Sequence, residues 1–322
     1  MSRRPRIDRS KVRTVSAKDR PSKVRLEHEG RPLRPGASFS EFLDGLPSLL
    51  GAADLRAAID ATARASATGR TILWGLGAHV IKVGLAPIVV DLLERGLASG
   101  VMLNGAGCVH DLELARLGHT SEDVAATLDD GSFGMAGETA ERLNHAIAKG
   151  ASQGLGMGEA VGREIVEGDY PHRDRSILAT SVRLGIPVTV AVAIGTDIHH
   201  MHPGADGAAL GATSFRDFET LAGLVATLEG GVVFNVGSAV ILPEVFLKAL
   251  ALSRNLGHTV RRFTAVDLDF IRQYRPMVNL VQRPTRLGGQ GLSLVGHHEI
   301  LLPLLVGGIV EAVESMDSDR KP

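Results

Sequence analysis

The stretch TILWGLGAHVIKVGLAPIVVDLLERGLASGVML, residues 71–103, carries the strongest indication of the fold. Residues 71–75 form a short apolar run typical of a buried strand, and a glycine turn follows them. Residues 80–95 have a helical pattern, and residues 100–103 are a second apolar run. A strand, a turn, a helix and a strand in this order form a βαβ unit, so the stretch predicts an α/β fold.

Further apolar runs follow at the spacing expected of additional βα units. Residues 188–194 (VTVAVAI) and 231–236 (GVVFNV) are rich in β-branched side chains, as in parallel strands covered on both faces. Shorter strands are predicted at 261–266 and 292–295, and helices at 40–50, 53–67, 112–117, 136–150, 156–166, 243–253 and 301–315. We therefore predict a doubly wound, mostly parallel Rossmann-like sheet with a helical N-terminal extension.

Composition excludes several classes of protein. The chain has 322 residues, of which 44% are hydrophobic and 22% charged, so a sizeable core is expected. The single cysteine excludes an intramolecular disulfide framework and any multi-cysteine metal site. No apolar run approaches the roughly 20 residues of a membrane helix, and we expect a cytoplasmic protein. Of the 35 basic residues, 28 are Arg and only 7 are Lys.

Charge is distributed unevenly along the chain. Residues 1–34 contain 12 basic and 4 acidic residues, a net of +8, whereas the remainder carries −9. We predict a basic extended arm over 1–36, a single α/β domain over 37–316 and a C-terminal tail over 317–322. Because the arm lacks interleaved aromatic residues, we expect it to pack on the body or on a neighbouring subunit, with no nucleic acid as partner.

Ligands of open parallel sheets bind beyond the carboxyl ends of the strands, so the segments that follow the predicted strands are the candidate site. Residues 75–79 (GLGAH) would bring backbone close to a pyrophosphate, or would be a tight turn without a ligand. Residues 104–111 (NGAGCVHD) end in Asp111, which would bind ribose hydroxyls or cap a helix.

Later segments also carry ionisable groups. Residues 195–203 (GTDIHHMHP) hold three histidines that would bind a metal, contact substrate or cofactor, or lie on a surface loop. Residues 235–238 (NVGS) lead to Glu244, a candidate acid or base. Two segments follow the late strands. One contains Thr264, Ala265 and Asp269, and the other is residues 296–299 (GHHE). Either would bind ribose hydroxyls or supply an acid/base group.

Six segments also occur in a recognisable order between residues 71 and 312. They are 101–111 (VMLNGAGCVHD), 129–144 (DDGSFGMAGETAERLN), 186–197 (IPVTVAVAIGTD), 230–249, the Thr264-Ala265…Asp269 and Arg275-Pro276 order, and 302–306 (LPLLV). Together they resemble the deoxyhypusine synthase family and its wider NAD-binding superfamily. The resemblance implies an NAD site near subunit interfaces and a homotetramer. It assigns cofactor contacts to Gly105, Ala106, Gly107, Asp111, Asp197, Gly237, Thr264, Ala265 and Asp269.

The chain departs from this family at the residue that carries its chemistry. The reactive lysine of the family would fall near residues 281–286 (VQRPTR), where there is no lysine. An arginine cannot replace it, because a guanidinium stays protonated at physiological pH. We therefore predict that the chain does not make deoxyhypusine by transfer through such a lysine. Residues 108–113 (CVHDLE) are similar to the VHDIE segment of archaeal-type ornithine cyclodeaminases, which need no such lysine.

The sequence thus predicts an NAD-dependent enzyme of the amine or amino-acid transferase or cyclodeaminase type, acting by transient hydride transfer. His202, Glu244 and His297 are the predicted acid/base groups, and no resident metal is expected. The predicted substrate-binding residues are His79, His199 and Glu299. Two alternatives stay open: a non-catalytic nucleotide-binding or regulatory protein, and a metal-dependent hydrolase built on the 199–202 histidines.

Overall fold

The computed structural model describes residues 5–318, and the chain divides into two compact units between residues 49 and 50. The sequence predicts this boundary after residue 36. In the structure, the backbone N–H of Arg31 donates to the Gly45 carbonyl (2.8 Å) and that of Ser48 donates to the His28 carbonyl (3.1 Å). These bonds join residues 37–49 to the arm, which moves the boundary toward the C-terminus.

The first unit contains little regular structure. Two 3₁₀ turns cover Arg9–Lys11 and Leu26–His28, and one helix, α1, covers Phe39–Gly45. Ser38 and Glu41 cap the start of α1 reciprocally, each accepting a bond from the other's backbone N–H. Leu43 is the sole buried residue in the described part of this unit. The predicted arm includes residues 1–4, which lie outside the described residues.

The second unit is built on a sheet of six parallel strands. The strands are β1 Ile72–Leu76, β2 Gly100–Asn104, β3 Val188–Ala191, β4 Val232–Val236, β5 Thr264–Asp269 and β6 Gln290–Val295. Their order across the sheet is β3-β2-β1-β4-β5-β6. This is the Rossmann order, in which the direction of winding reverses between β1 and β4. The predicted doubly wound parallel sheet is therefore confirmed.

Helices cover both faces of the sheet. They are α2 Leu50–Ala67, α3 Ala78–Lys82, α4 Ala86–Glu94, α5 Gly105–Leu117, α6 Val124–Thr127, α7 Gly137–Gln153, α8 Met157–Glu167, α9 Ile177–Leu184, α10 Gly207–Ala226, α11 Ile241–Asn255, α12 Tyr274–Pro276 and α13 His298–Ser318. Shorter 3₁₀ turns lie at Arg173–Arg175, Ile198–Met201 and Pro284–Leu287, and a π-helical turn lies at Met277–Gln282. Helix α10 packs on α11, and α2 packs on α13.

Apolar side chains of the central strands are fully buried. Trp74 of β1 and Phe234 of β4 are register partners, and their rings stack with centroids 3.9 Å apart. Leu73, Val233 and Phe246 belong to a core cluster that the side chains of α10 and α11 complete. A strand buried on both faces must be apolar at successive positions, which explains the unbroken β-branched runs of the sequence.

Local structure departs from the sequence prediction at residues 80–95 and at the start of β5. The predicted helix over 80–95 is interrupted, because Gly84 has a φ of +80° and proline lies at the start of α4. Strand β5 begins three residues later than predicted, at Thr264 instead of 261. As a result Thr264 and Ala265 open the strand, and Asp269 closes it.

Helix α13 extends to Ser318, so the predicted tail begins inside it, and residues 319–322 lie outside the described residues. Within the described part of the chain, no helix combines the length and apolar character needed to span a membrane.

Candidate functional site

A cavity of about 630 Å³ lies along one face of α5, beside the carboxyl ends of β2 and β3. Residues 119–136 and the start of α7 close one side of it, and residues 196–198, from the loop after β3, close another. Helix α5 begins directly after β2, where the Asn104 side chain accepts a bond from the Gly107 backbone N–H (3.1 Å). This cap fixes the direction of α5 and hence the position of the cavity wall.

A chain of hydrogen bonds crosses the cavity wall around Glu113. The hydroxyl of Thr139 donates to one carboxylate oxygen (3.0 Å), and the hydroxyl of Thr120 donates to the other. The Thr120 oxygen is also 2.7 Å from Nδ1 of His110. Burial, together with the nearby charge of Lys82, lowers the pKa of His110 to about 4, so this imidazole is neutral at physiological pH.

The cavity is lined by charges of both signs. Its acidic residues are Glu113, Glu122, Glu138 and Asp197, and its basic residues are Lys82 and Arg116. Lys82 forms no ion pair with any residue in the range 5–318. A cavity with both carboxylates and cationic side chains can hold a ligand that carries an ammonium and a carboxylate group.

Asp197 lies over the start of α5. A Cβ on Gly105 would be 1.9 Å from Oδ2 of Asp197, so only glycine leaves room for this carboxylate. Oδ2 is buried and has no hydrogen-bond partner among the described residues. Burial raises the pKa of Asp197 to about 6.

The three neighbouring histidines serve different purposes. His199 is buried, neither ring nitrogen has a partner within the described range, and burial lowers its pKa to about 4. Nδ1 of His200 accepts from the Gly195 backbone N–H (3.1 Å), and Nε2 of His202 is 2.8 Å from the Gly134 carbonyl oxygen. Between residues 5 and 318 no three His, Cys, Asp or Glu side chains are arranged to hold a metal ion.

At the point where the winding reverses, the turns after β1 and β4 touch each other. A Cβ on Gly77 would be 2.2 Å from the Gly237 carbonyl oxygen, and a Cβ on Gly237 would be 2.7 Å from the His298 ring. The ring of His298 is buried, with Nε2 3.7 Å from Oδ1 of Asp269, and it lies 5.3 Å from the ring of His79. Protein atoms thus fill the space beside these glycines, which do not form an open pyrophosphate cradle.

Other groups at this edge of the sheet suit a nucleotide better. Oδ2 of Asp197, Oδ1 of Asn235 and Nδ1 of His298 are buried without a partner in the described part of the chain. Two of these atoms are oxygen acceptors, and ribose hydroxyls and a carboxamide offer matching donors. The chemistry of these acceptors matches the ribose and nicotinamide groups of NAD, whereas the glycine turns do not provide a phosphate site.

Three predicted cofactor contacts are placed elsewhere by the structure. Asp111 caps the start of α9: Ser176 Oγ (2.5 Å) and the backbone N–H groups of Ile177 (2.9 Å) and Leu178 (3.1 Å) donate to it. Its carboxylate is buried and accepts these three bonds from the start of α9. Thr264 and Ala265 lie at the amino end of β5, at the opposite edge from the other contacts.

The predicted acid/base residues follow different strands of the sheet. His202 follows β3 and His297 follows β6, the two outermost strands, which are about 24 Å apart at the usual strand spacing. His297 is largely exposed, 3.8 Å from the predicted substrate residue Glu299.

Glu244, the third predicted acid/base group, is held by neighbours on and beside α11. It pairs with Lys248 and, at 3.3 Å, with Arg275, and it accepts from Asn279 at 2.6 Å. These partners, led by Lys248, lower the pKa of Glu244.

The sequence assigns no role to Glu113, Thr120 or Thr139, and treats His110 only as part of a loop. One signal was available: His110, Glu113 and Arg116 recur at the three-residue spacing that places side chains on one helix face. That signal requires a helix starting at Gly105, whereas the glycine-rich segment suggested a turn.

No protein-family profile and no curated sequence matches the chain. Solved structures match at the level of fold. ArgZ, an arginine dihydrolase from the ornithine–ammonia cycle in cyanobacteria, is 18% identical with a TM-score of 0.51, covering 80% of this chain and 31% of its own. The ternary complex of AgrE with ornithine and NAD⁺ is 15% identical with a TM-score of 0.51, covering 83% of this chain and 33% of its own.

A protein of Entamoeba histolytica assigned as a deoxyhypusine synthase is 10% identical with a TM-score of 0.52, covering 87% of this chain and 96% of its own. The chain thus spans about a third of the ArgZ and AgrE chains and nearly all of the Entamoeba protein. At these identities the likeness shows a deoxyhypusine synthase-like fold.

Proposed function

We propose that the chain is an NAD-dependent enzyme that acts on an amine or amino-acid substrate by transient hydride transfer. One observation carries this proposal: a cavity lined by charges of both signs opens beside the carboxyl edge of a sheet with Rossmann order. This edge is where such sheets bind their ligands.

The charges in the cavity suit an amino acid. Glu113 and Glu138 would attract the ammonium group, and Lys82 and Arg116 would pair with the carboxylate. An uncharged metabolite would leave these charges without a use, and a nucleic acid would be repelled by the carboxylates.

Five of the predicted cofactor contacts lie at the carboxyl edge and are kept in the proposal: Gly105, Ala106, Gly107, Asp197 and Asp269. Gly237 lies at the same edge, but the His298 ring fills the space beside it. Asp197 would accept a ribose hydroxyl through Oδ2. His79, next to His298, would orient the nicotinamide end or the substrate. When bound, the cofactor supplies the hydride acceptor. We further propose a homo-oligomer, with a tetramer as the expected size.

Aminobutyl transfer to a protein is not proposed. Residues 281–286, where the resembling family has its reactive lysine, have none. Arg283 lies between a π-helical turn and a 3₁₀ turn, and Arg286 lies within the 3₁₀ turn. A cyclodeaminase-type reaction, which needs no transfer lysine, is favoured instead.

Two measurements test the proposal. Native protein is denatured and the released small molecules are identified by mass spectrometry, where NAD or NADP is expected. Binding of L-ornithine and L-arginine is then measured for the wild type, Glu113→Gln and the control Glu219→Gln, an exposed residue of α10. Loss of the cavity charge should weaken binding about tenfold, equivalent to roughly 1.4 kcal/mol, and the control should not.

The alternatives predict different results. Release of a nucleotide without any binding of amine would favour the non-catalytic nucleotide-binding protein. Absence of both nucleotide release and nucleotide binding would contradict the proposed cofactor.

A further inference from the structure

We propose that His110 is the base that removes a proton from the ammonium group of the ligand in the cavity. This inference rests on the proposed function, because oxidation of an amine by hydride loss requires the neutral amine. An ammonium nitrogen has no lone pair with which to form the C=N bond, so a proton must leave first.

Hydrogen bonding determines the tautomer of His110. A Glu113 carboxylate can only accept, so the single hydroxyl hydrogen of Thr120 points to Glu113. The Thr120 oxygen, 2.7 Å from Nδ1 of His110, must then accept the Nδ1–H. Thr139 donates to the other carboxylate oxygen (3.0 Å), which keeps Glu113 as an acceptor. In neutral His110 the hydrogen is therefore on Nδ1, and Nε2 carries a free lone pair.

That lone pair is accessible. His110 is half-buried in the cavity wall, and Nε2 has no hydrogen-bond partner among residues 5–318. The low pKa of His110 keeps Nε2 unprotonated at physiological pH. An accessible imidazole nitrogen of defined tautomer, backed by a carboxylate, is the arrangement of a general base.

The proton step balances within the cavity. An N–H bond of the ammonium breaks, its electron pair stays on the amine nitrogen, and the proton forms a new bond to Nε2. The product is a neutral amine and an imidazolium with two N–H groups. Nδ1–H of that imidazolium still donates to Thr120, and through this hydroxyl its charge is stabilised by Glu113.

A ligand carboxylate would strengthen this base. The charged groups that line the cavity with His110 are Lys82 of α3, Glu113 and Arg116 of α5, Glu122, Glu138 of α7 and Asp197. Lys82 disfavours the imidazolium in the free protein. A ligand carboxylate that pairs with Lys82 would offset this repulsion, so an amino acid should raise the basicity of Nε2 more than a simple amine does.

The test is nuclear magnetic resonance of the full chain labelled with ¹⁵N-histidine, with His110→Gln used to assign the signal. At about pH 7 we expect hydrogen on Nδ1 and an unprotonated Nε2. L-Ornithine should move the Nε2 resonance toward the protonated position, and 1,4-diaminobutane should move it less. Thr120→Ser should keep the tautomer, whereas Thr120→Val should give a mixture.

A hydrogen found on Nε2 in the wild type overturns the proposal, and so does an Nε2 resonance that ornithine leaves unmoved. Should Thr120→Val fail to fold, the wild type and Thr120→Ser still decide the tautomer. The cofactor is assayed separately by its release on denaturation. Its absence would contradict the proposed function without changing the reading of the His110 signal.

Discussion

Asp217 of α10 is a buried carboxylate that joins three elements of the second unit. It accepts the backbone N–H of Gly158 in α8 (2.9 Å) and that of Val190 in β3 (2.8 Å). A Cβ on Gly156 would be 1.9 Å from its Oδ1. Despite these bonds, burial raises the pKa of Asp217 to about 7. Removal of the charged carboxylate from water therefore raises its pKa by more than the hydrogen bonds lower it.

Asp217→Asn should change the pH dependence of stability. The pKa of Asp217 is raised from 3.8 to about 7, so the folded protein binds this proton more tightly than the unfolded chain does. Protonation of Asp217 therefore stabilises the fold, and this contribution is complete below about pH 4. It is lost as the pH rises through about 7, by an amount on the order of a few kcal/mol. Asparagine does not titrate, so the variant should lose less stability between about pH 5 and 8.

Urea unfolding across this range measures the effect as a slope, which a constant cost of the substitution does not alter. Asp111, Asp197 and Asp267 also have a pKa of about 6 and remain in both proteins, so their contribution cancels in the difference. Asp60→Asn, at an exposed site in α2, is the matched control. Equal slopes for Asp217→Asn and the wild type would contradict the prediction.

Individual residue roles were harder to predict than strands, for a physical reason. Glu113 meets Thr139 across 26 positions of sequence, and Asp111 meets Ile177 across 66. No local spacing predicts such contacts. Asp111 in particular follows a glycine-rich segment, from which the sequence predicts a ribose contact or a cap on a helix over 112–117. In the structure it lies within α5 and caps α9 instead.

At the scale of elements, β1 and β4 end in turns packed backbone against backbone. Gly77 has a φ of −70°, which any residue adopts, so its lack of a side chain is a matter of space alone. The Gly77 N–H donates to the Val236 carbonyl (2.8 Å), which extends the β1–β4 pairing into the turn. The close approach of these turns thus depends on the missing Cβ.

Gly77→Ala should destabilise the protein by about 1–3 kcal/mol, because the new Cβ would be 2.2 Å from backbone that cannot rotate away. Gly211→Ala in α10 is the matched control, since its Cβ would meet nothing within 4 Å. In a helix this control should be neutral or gain up to about 1 kcal/mol. Thermal and urea unfolding measure both variants, and equal stability of the two would refute the packing argument.

The sequence predicts a strand accurately where its buried residues form an apolar run, and less accurately where buried residues are polar. β1, β2 and β4 are apolar except for Asn104 and Asn235, and their predicted bounds agree with the structure within one residue. β5 contains Asp267 and Asp269, both buried, so its polar end looked like a loop and the strand was placed three residues too early. Buried carboxylates are rare, so a prediction based on runs of apolar residues does not recognise the part of a strand that contains them.

At the scale of the whole chain, burial is concentrated in the second unit. Within residues 5–49 one side chain, Leu43, is buried, whereas every strand of the second unit contains buried residues. The helix α13 contributes Leu302, Leu305, Val306 and Ile309, each at most 4% exposed. The two ends of the chain should therefore differ in what they contribute to folding.

Deletion of residues 1–49 should leave a chain that unfolds cooperatively, with a Tm lowered by no more than about 4 °C. Deletion of residues 298–322 should abolish folding. The four buried side chains of α13 contribute about 1.5–3 kcal/mol each, which together rivals the 5–15 kcal/mol stability of an ordinary domain. Circular dichroism on heating compares both truncations with the full chain. A first truncation that melts without a transition would show that the N-terminal unit is required for the core, and a second that folds would show that α13 is not.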